Sequence, residues 1–213
     1  MLVTPQRSSS LRQFTIPGFT LIELAIVLVV IGIIAGAVIK GQDLMESAKI
    51  RSVMNDINRF RLAITMYQET YGALPGDDAK ASIHFGDGVT NGNGDGKIEN
   101  DEVNAFWQHL NKAGQLSSPT APTSKLAGKY SVVFQPNENC PGHWLKLSKE
   151  NGGLLTPKQA QSLKSKAEEG GDLDPKQGSI RIIDGAGADN QCVKDGRLNL
   201  SLDSPVCVVL AAF

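Results

Sequence analysis

Proline is missing between Pro17 and Pro75, and no charged or polar side chain interrupts Leu24–Ile39. The first absence removes the residue that most reliably breaks a helix, because proline lacks a backbone donor and clashes with the preceding turn. The second leaves an apolar run of membrane length. Histidine and cysteine are scarce, three of each in 213 residues. No Cys-x-x-Cys pair or His/Cys cluster supports zinc. The formal net charge is only −1, and no basic patch dominates, so nucleic acid is not an evident partner. A Gly-rich phosphate loop after a strand is absent, as is any Ser/His/Asp or Cys/His arrangement better than chance. These absences weigh against an enzyme.

What is present begins with Gly18-Phe19-Thr20-Leu21-Ile22-Glu23-Leu24, which opens the apolar run. Phe19–Ile39 is about 21 residues, roughly 31 Å as a helix, which matches a hydrocarbon core. Glu23 stands at its threshold. A lone carboxylate within such a helix costs about 3 kcal/mol on insertion scales, so it demands a partner and implies a role. Upstream lie Arg7 and Arg12 and no acidic residue; downstream lie Lys40, Lys49 and Arg51. The flanking positive charges therefore do not decide orientation, although the long domain that follows would be exported largely regardless of them. The small residue Gly18 precedes the apolar run, whereas an ordinary secretory signal is cut after it.

This segment resembles the type III signal of type IV pilins and pseudopilins. The resemblance implies cleavage after Gly18 by a prepilin peptidase, with Phe19 left as an N-methylated first residue. It also implies that the Glu23 carboxylate meets the N-terminal ammonium on Phe19 of a neighbouring subunit during assembly. Removal of the leader leaves about 195 residues, enough for one membrane helix and one modest globular domain. The loss of two arginines takes the mature chain to about −3.

Helical patterning continues past the apolar run. Ile50, Val53, Ile57, Phe60, Ile64, Tyr67 and Tyr71 follow a 3-4-3-4-3-4 spacing, one apolar stripe on a helix face. Gly72 and Leu74-Pro75-Gly76-Asp77 supply the stop. The expectation is one helix of about 50 residues, roughly 80 Å long. Many major pilins carry a proline near the end of the apolar segment; here Lys40 stands in that neighbourhood, with Gly32 and Gly36 as weak points.

Asn91–Glu102 can be laid on the twelve-residue EF-hand calcium loop. Asn91, Asn93 and Asp95 fall at positions one, three and five, and Gly96 takes the sharp-turn position. Lys97 would offer its backbone carbonyl, Ile98 is the apolar residue, and Glu102 is the bidentate carboxylate at position twelve. Position one is normally aspartate, and Asn91 brings no charge; Asp87 would compensate only by a fold-back of the preceding loop. The same Asn/Gly-rich composition also favours a simple turn. Calcium is the one cofactor expected, at weak to moderate affinity.

Val103, Phe106, Trp107 and Leu110 carry helical spacing up to Gly114. Phe106 and Trp107 are expected in the core rather than on a carbohydrate platform, and His109 is assigned no chemistry. The order Leu-Pro-Gly-Asp, Asn-Gly-Asn-Gly-Asp-Gly, Phe-Trp-Gln-His-Leu resembles the middle region of a group of bacterial prepilin-like proteins. Ser117–Ser124 reads as a Ser/Thr/Pro-rich loop.

Alternation marks strands at Tyr130–Gln135, Trp144–Leu147, Ile180–Ile182, Leu198–Leu202 and Val206–Leu210. Thr156-Pro157 with Gln159 forms a capping-box pattern for a helix running to Glu169. Export implies an oxidising compartment for the cysteines. Cys192 and Cys207 enclose two strand-like segments, and a bridge between them would also match the C-terminal disulfide loop of pilins. Cys140–Cys192 is the rival pairing, which spacing alone does not exclude.

The resulting reading is an α+β, type IV pilin-like chain: a long N-terminal helix packed on a small antiparallel head. Residues 1–18 form the leader and 19–73 the helix, transmembrane over about 19–39. Residues 74–213 form the head, with the EF-hand-like loop 91–102 and the C-terminal disulfide region. The expected role is a pilin or minor pilin in a type IV pilus or related fibre. The alternatives are a type II secretion pseudopilin and a membrane-anchored, calcium-dependent adhesin or ligand-binding protein. Expected partners are other pilins in a homo- or hetero-polymer, the prepilin peptidase and an inner-membrane assembly platform. The expected location is the bacterial inner membrane as a single-pass precursor, then a periplasmic or extracellular fibre.

Overall fold

The computed structural model describes residues 18–136, 141–150, 152–168, 173–189 and 191–213. The leader and Cys140 lie outside these residues. The chain divides into two units, Met1–Leu44 and Met45–Phe213. Helix α1, Leu21–Tyr71, runs through both.

In the first unit, α1 has the length and composition to cross a membrane. Its apolar side chains from Leu21 to Ile39 are exposed in the isolated chain. Burying such a surface needs lipid or neighbouring helices, since water disfavours it at about 25 cal/mol per Å².

In the second unit the periodic stripe of α1 does what its spacing predicts. Ile50, Val53, Ile57, Phe60, Ile64 and Tyr67 are buried, joined by Ala63. The stripe packs against a four-stranded antiparallel sheet. Its strands are β1 (Lys129–Gln135), β2 (Gly142–Ser148), β3 (Ile180–Asp184) and β6 (Cys207–Ala212), in the order β1-β2-β6-β3. The register places Val132 opposite Leu145, and Val209 between Leu147 and Ile182. Strand alternation sends Tyr130, Val132, Leu145, Leu147, Ile180, Ile182, Val209 and Ala211 into the core that α1 shares. Lys146 and Arg181 alternate with these inward residues.

Helix α2 (Ala81–Phe85) follows the turn after α1, and α3 (Glu102–Lys112) follows the Asn/Gly loop. Phe106 and Trp107 are fully buried. Phe60 lies edge-on to Trp107 at 5.5 Å and to Tyr130 at 4.9 Å, so one aromatic cluster locks α3, α1 and β1 together. Helix α4 (Pro157–Ala167) starts with the expected capping box between Thr156 and Gln159. Its buried Lys164 donates from Nζ to the carbonyls of Gln177 and Ile180, tying the helix to the start of β3. Arg61 of α1 donates to the carbonyls of Ala212 and Ser179, closing the same end of the sheet.

The expected strand over Leu198–Leu202 is corrected. Only Arg197–Leu198 (β5) pairs, with Val193–Lys194 (β4), in a separate two-stranded ribbon. Residues beyond Leu198 turn instead, as the Leu202 N–H returns to the Asn199 carbonyl. Alternation needs a neighbouring strand to become a ladder, and past Leu198 one further bond forms, from the Asn199 N–H to the Cys192 carbonyl, before the chain turns. The Cys192–Cys207 disulfide is formed, with Cα atoms 5.1 Å apart. It joins β6 to the segment leading into β4. Cys207 also exchanges backbone hydrogen bonds with Leu155, so the bridge sits at a three-way junction.

Candidate functional site

Two regions carry the chemistry. At the entry to α1, Thr20 and Glu23 form a reciprocal cap. The Glu23 carboxylate accepts from the Thr20 N–H and hydroxyl, each at 2.8 Å, and the Glu23 N–H donates to the Thr20 hydroxyl oxygen at 3.2 Å. Such a box satisfies helix N–H groups that otherwise lack partners. In the isolated chain Glu23 is therefore partnered within its own helix. The Thr-x-x-Glu spacing is the sequence signal for it, and sequence reasoning passed over it in favour of the carboxylate alone. Phe19 is 89% exposed.

The second region is the loop from Asn91 to Glu102. The Asn91 side-chain oxygen accepts from the Ser82 N–H at 2.7 Å. Asn93 accepts from Asp95 N–H at 2.7 Å, and Asp95 from Lys97 N–H at 2.9 Å, two successive side-chain turns. The Glu102 carboxylate reaches back to the N–H groups of Asn93 and Glu99, at 2.9 and 3.1 Å. Gly96 has φ of +81°, as its sharp-turn position requires. Ile98 is buried in the core, as its apolar position predicts.

The centre of the loop is a residue that the spacing did not reveal. Asp77, only 4% exposed, accepts from the N–H groups of Gly94 (2.7 Å), Asp95 (3.1 Å) and Gly96 (2.8 Å). The backbone wraps so closely that a Cβ at Gly92 would collide with the Asp77 main chain. Asp77, not Asp87, is the carboxylate that reaches the loop. It lies in Leu74-Pro75-Gly76-Asp77, readable only as a helix stop, and its partners are seventeen to nineteen residues away.

Among the described residues no group of three or more acidic, histidine or cysteine side chains could hold a metal ion. The oxygens of Asn91, Asn93, Asp95 and Glu102 and the Lys97 carbonyl suit a hard cation in kind. A carboxylate or amide oxygen that accepts one N–H retains a further lone pair. Their arrangement here is organised around backbone N–H groups.

Beside the loop lies a buried polar layer. The Tyr67 hydroxyl donates to Asp78 at 2.8 Å, and His84 Nδ1 lies 3.0 Å from the same oxygen. Burial pushes the Asp78 carboxyl up. Hydrogen bonds from the Lys80 N–H, Tyr67 and His84 outweigh it and hold the group below the usual carboxylate range. Burial and the neighbouring Asp78 push the Tyr67 phenol well above its ordinary value. His109 is fully buried, stacked on Tyr67, and bridges two backbone segments. Gly76 N–H donates to its Nδ1 at 2.9 Å, and its Nε2 donates to the Thr90 carbonyl at 2.7 Å.

A family model for the prokaryotic N-terminal methylation motif matches residues 17–39. No curated protein and no solved structure matches the chain. The match places a type IV prepilin-like signal on the segment that opens α1. The long helix and the four-stranded antiparallel sheet are consistent with the type IV pilin fold. The protein is pilin- or pseudopilin-like, and the motif implies processing by a prepilin peptidase and polymerisation with pilins. The apolar helix and the motif together fit a membrane-anchored precursor.

Proposed function

We propose that this chain is a structural subunit, a pilin or minor pilin, of a type IV pilus or related fibre. The observation that carries the reading is the methylation motif at the start of an apolar, exposed helix whose continuation is built into a head with its own core. In the precursor the apolar segment sits in the inner membrane. After cleavage at Gly18–Phe19, the same surface is buried against neighbouring subunits in a periplasmic or extracellular fibre. Glu23, capped by Thr20 in the free chain, exchanges that partner for the ammonium on a neighbour's Phe19. Two charges taken out of water need such pairing, because an unpaired one costs several kcal/mol. Shearing cells and probing the released filaments tests the reading. The chain should co-purify with the fibre, and its retention in the membrane fraction under piliated conditions would refute fibre incorporation.

A second role is calcium binding at Asn91–Glu102, favoured by the turn at Gly96 and the buried Ile98. Asn91, Asn93, Asp95, Lys97 and Glu102 would hold the ion, whose charge would rigidify the loop at the start of α3. Calorimetry at millimolar calcium should show one site that Glu102→Gln weakens and Asn91→Asp strengthens. No heat of binding, and the same melting temperature in calcium and chelator, would leave the loop as a turn organised by Asp77.

A further inference from the structure

We propose that His109 is an acid-opened latch, holding the turn after α1 and the entry to the Asn/Gly loop onto α3, and releasing both on protonation. The proton positions follow from the partners. Gly76 N–H is a donor, so Nδ1 must be unprotonated to accept it. The Thr90 carbonyl is only an acceptor, so Nε2 must carry the hydrogen. The neutral imidazole satisfies both segments. An imidazolium would set an Nδ1–H against the Gly76 N–H, donor against donor, in a site with no exposure to water. Accommodating the charge therefore requires Gly76 to move away.

Release at Gly76 reaches further than one bond. Its neighbour Asp77 carries the three N–H groups of Gly94, Asp95 and Gly96. Gly76 also packs on α3 so closely that a Cβ there would stand 2.8 Å from the Glu102 carbonyl. Opening thus frees residues 76–96 together, carries Phe85 away with them and uncovers the Tyr67 and Tyr71 rings of α1 on which Phe85 packs. The titratable groups facing His109 are Tyr67 from α1, His84 from α2 and Asp78 from the intervening turn. Burial lowers the His109 value, with the Thr90 hydrogen bond and Asp78 opposing and His84 adding to the fall. With the folded value below the ordinary one, the latch is fully closed above about pH 6.5 and loosens as the pH falls.

The test is hydrogen exchange on the mature full chain in detergent, with chelator present, corrected for the intrinsic pH dependence of exchange. The opening equilibrium of residues 76–96 should rise as the pH falls below 6.5, with an upper limit of about tenfold per pH unit and so at most about 30-fold by pH 5. Protection in β2 and β6 should stay constant. His109→Gln retains an acceptor and a donor, so it should flatten the profile, whereas His84→Gln and His143→Gln should preserve it. If His109→Gln does not fold, the imidazole resonances of the wild-type chain decide. A neutral Nε2–H tautomer persisting down to the pH at which residues 76–96 open supports the latch. A His109 that titrates near pH 6.5 with residues 76–96 still protected overturns it, as does loss of the pH response in His84→Gln.

Discussion

Asp77→Ala should be among the most damaging single changes outside the hydrophobic core. The side chain is 4% exposed and its two oxygens accept three backbone N–H groups from the Asn/Gly loop. A hydrogen bond to a charged acceptor contributes about 1.5–3 kcal/mol, and a stranded buried donor costs about 1–3 kcal/mol. The loop backbone at Gly94 and Gly96 borders an open cleft with Asp77, so water recovers part of each lost bond. A loss of about 1.2 kcal/mol for each N–H gives about 3–4 kcal/mol in total. The fragment beginning at Met45 is suited to the measurement, since every buried core residue lies within it. For a domain of this size, 1 kcal/mol moves the melting temperature by roughly 2–4 °C, so the drop should be about 10 °C. The shift should persist in chelator, because it comes from backbone N–H groups rather than from a bound ion. Asp87→Ala serves as the matched control and should change stability by less than about 0.5 kcal/mol. A melting temperature for Asp77→Ala within 2 °C of wild type, which is under about 1 kcal/mol, would refute the account of Asp77 as the organiser of this loop.

Intact mass of the protein from a host with prepilin peptidase should match a chain starting at N-methyl-Phe19; retention of Met1–Gly18 would sink the processing claim. Glu23→Ala should leave membrane insertion intact or improved while fibre yield falls, and normal yield would reduce Glu23 to a local helix cap. Cys207→Ser should destabilise the head by about 3 kcal/mol, read by urea unfolding with and without reductant, because the bridge closes a loop of about 15 residues. Asp78 is held below its ordinary value in the folded chain, so its contribution is present above about pH 4 and is lost as the pH falls through that lowered value. Tyr67→Phe removes one of the bonds responsible, so it should cost about 1–2 kcal/mol at neutral pH and shrink the difference from wild type near pH 3; an equal difference at both pH values would contradict this.

The sequence by itself determined what depends on neighbours along the chain. The absence of proline and the 3-4 spacing from Ile50 to Tyr71 required one continuous helix, and the same stripe became its buried face. Alternation in Tyr130–Gln135 and Trp144–Leu147 sufficed for two strands, and Thr156 with Gln159 for a helix start. Gly18–Glu23 and Gly96 were legible because cleavage signals and sharp turns are set by a few consecutive residues. Contacts between distant segments were decided only by the tertiary structure. The insertion of β6 between β2 and β3 brought Cys207 beside Cys192 and settled a pairing that spacing left open. The alternation at Leu198–Leu202 came to nothing past Leu198, since a period of two specifies a surface but not a partner for it. Asp77 and His109 were unremarkable letters in the sequence, one in a turn and one on a helix. Their roles exist because the fold returns the backbone N–H groups of Gly94–Gly96 to one carboxylate, and Gly76 and Thr90 to one imidazole. Buried polar groups must find partners wherever the chain supplies them, and that supply is a property of the packed structure rather than of any local pattern.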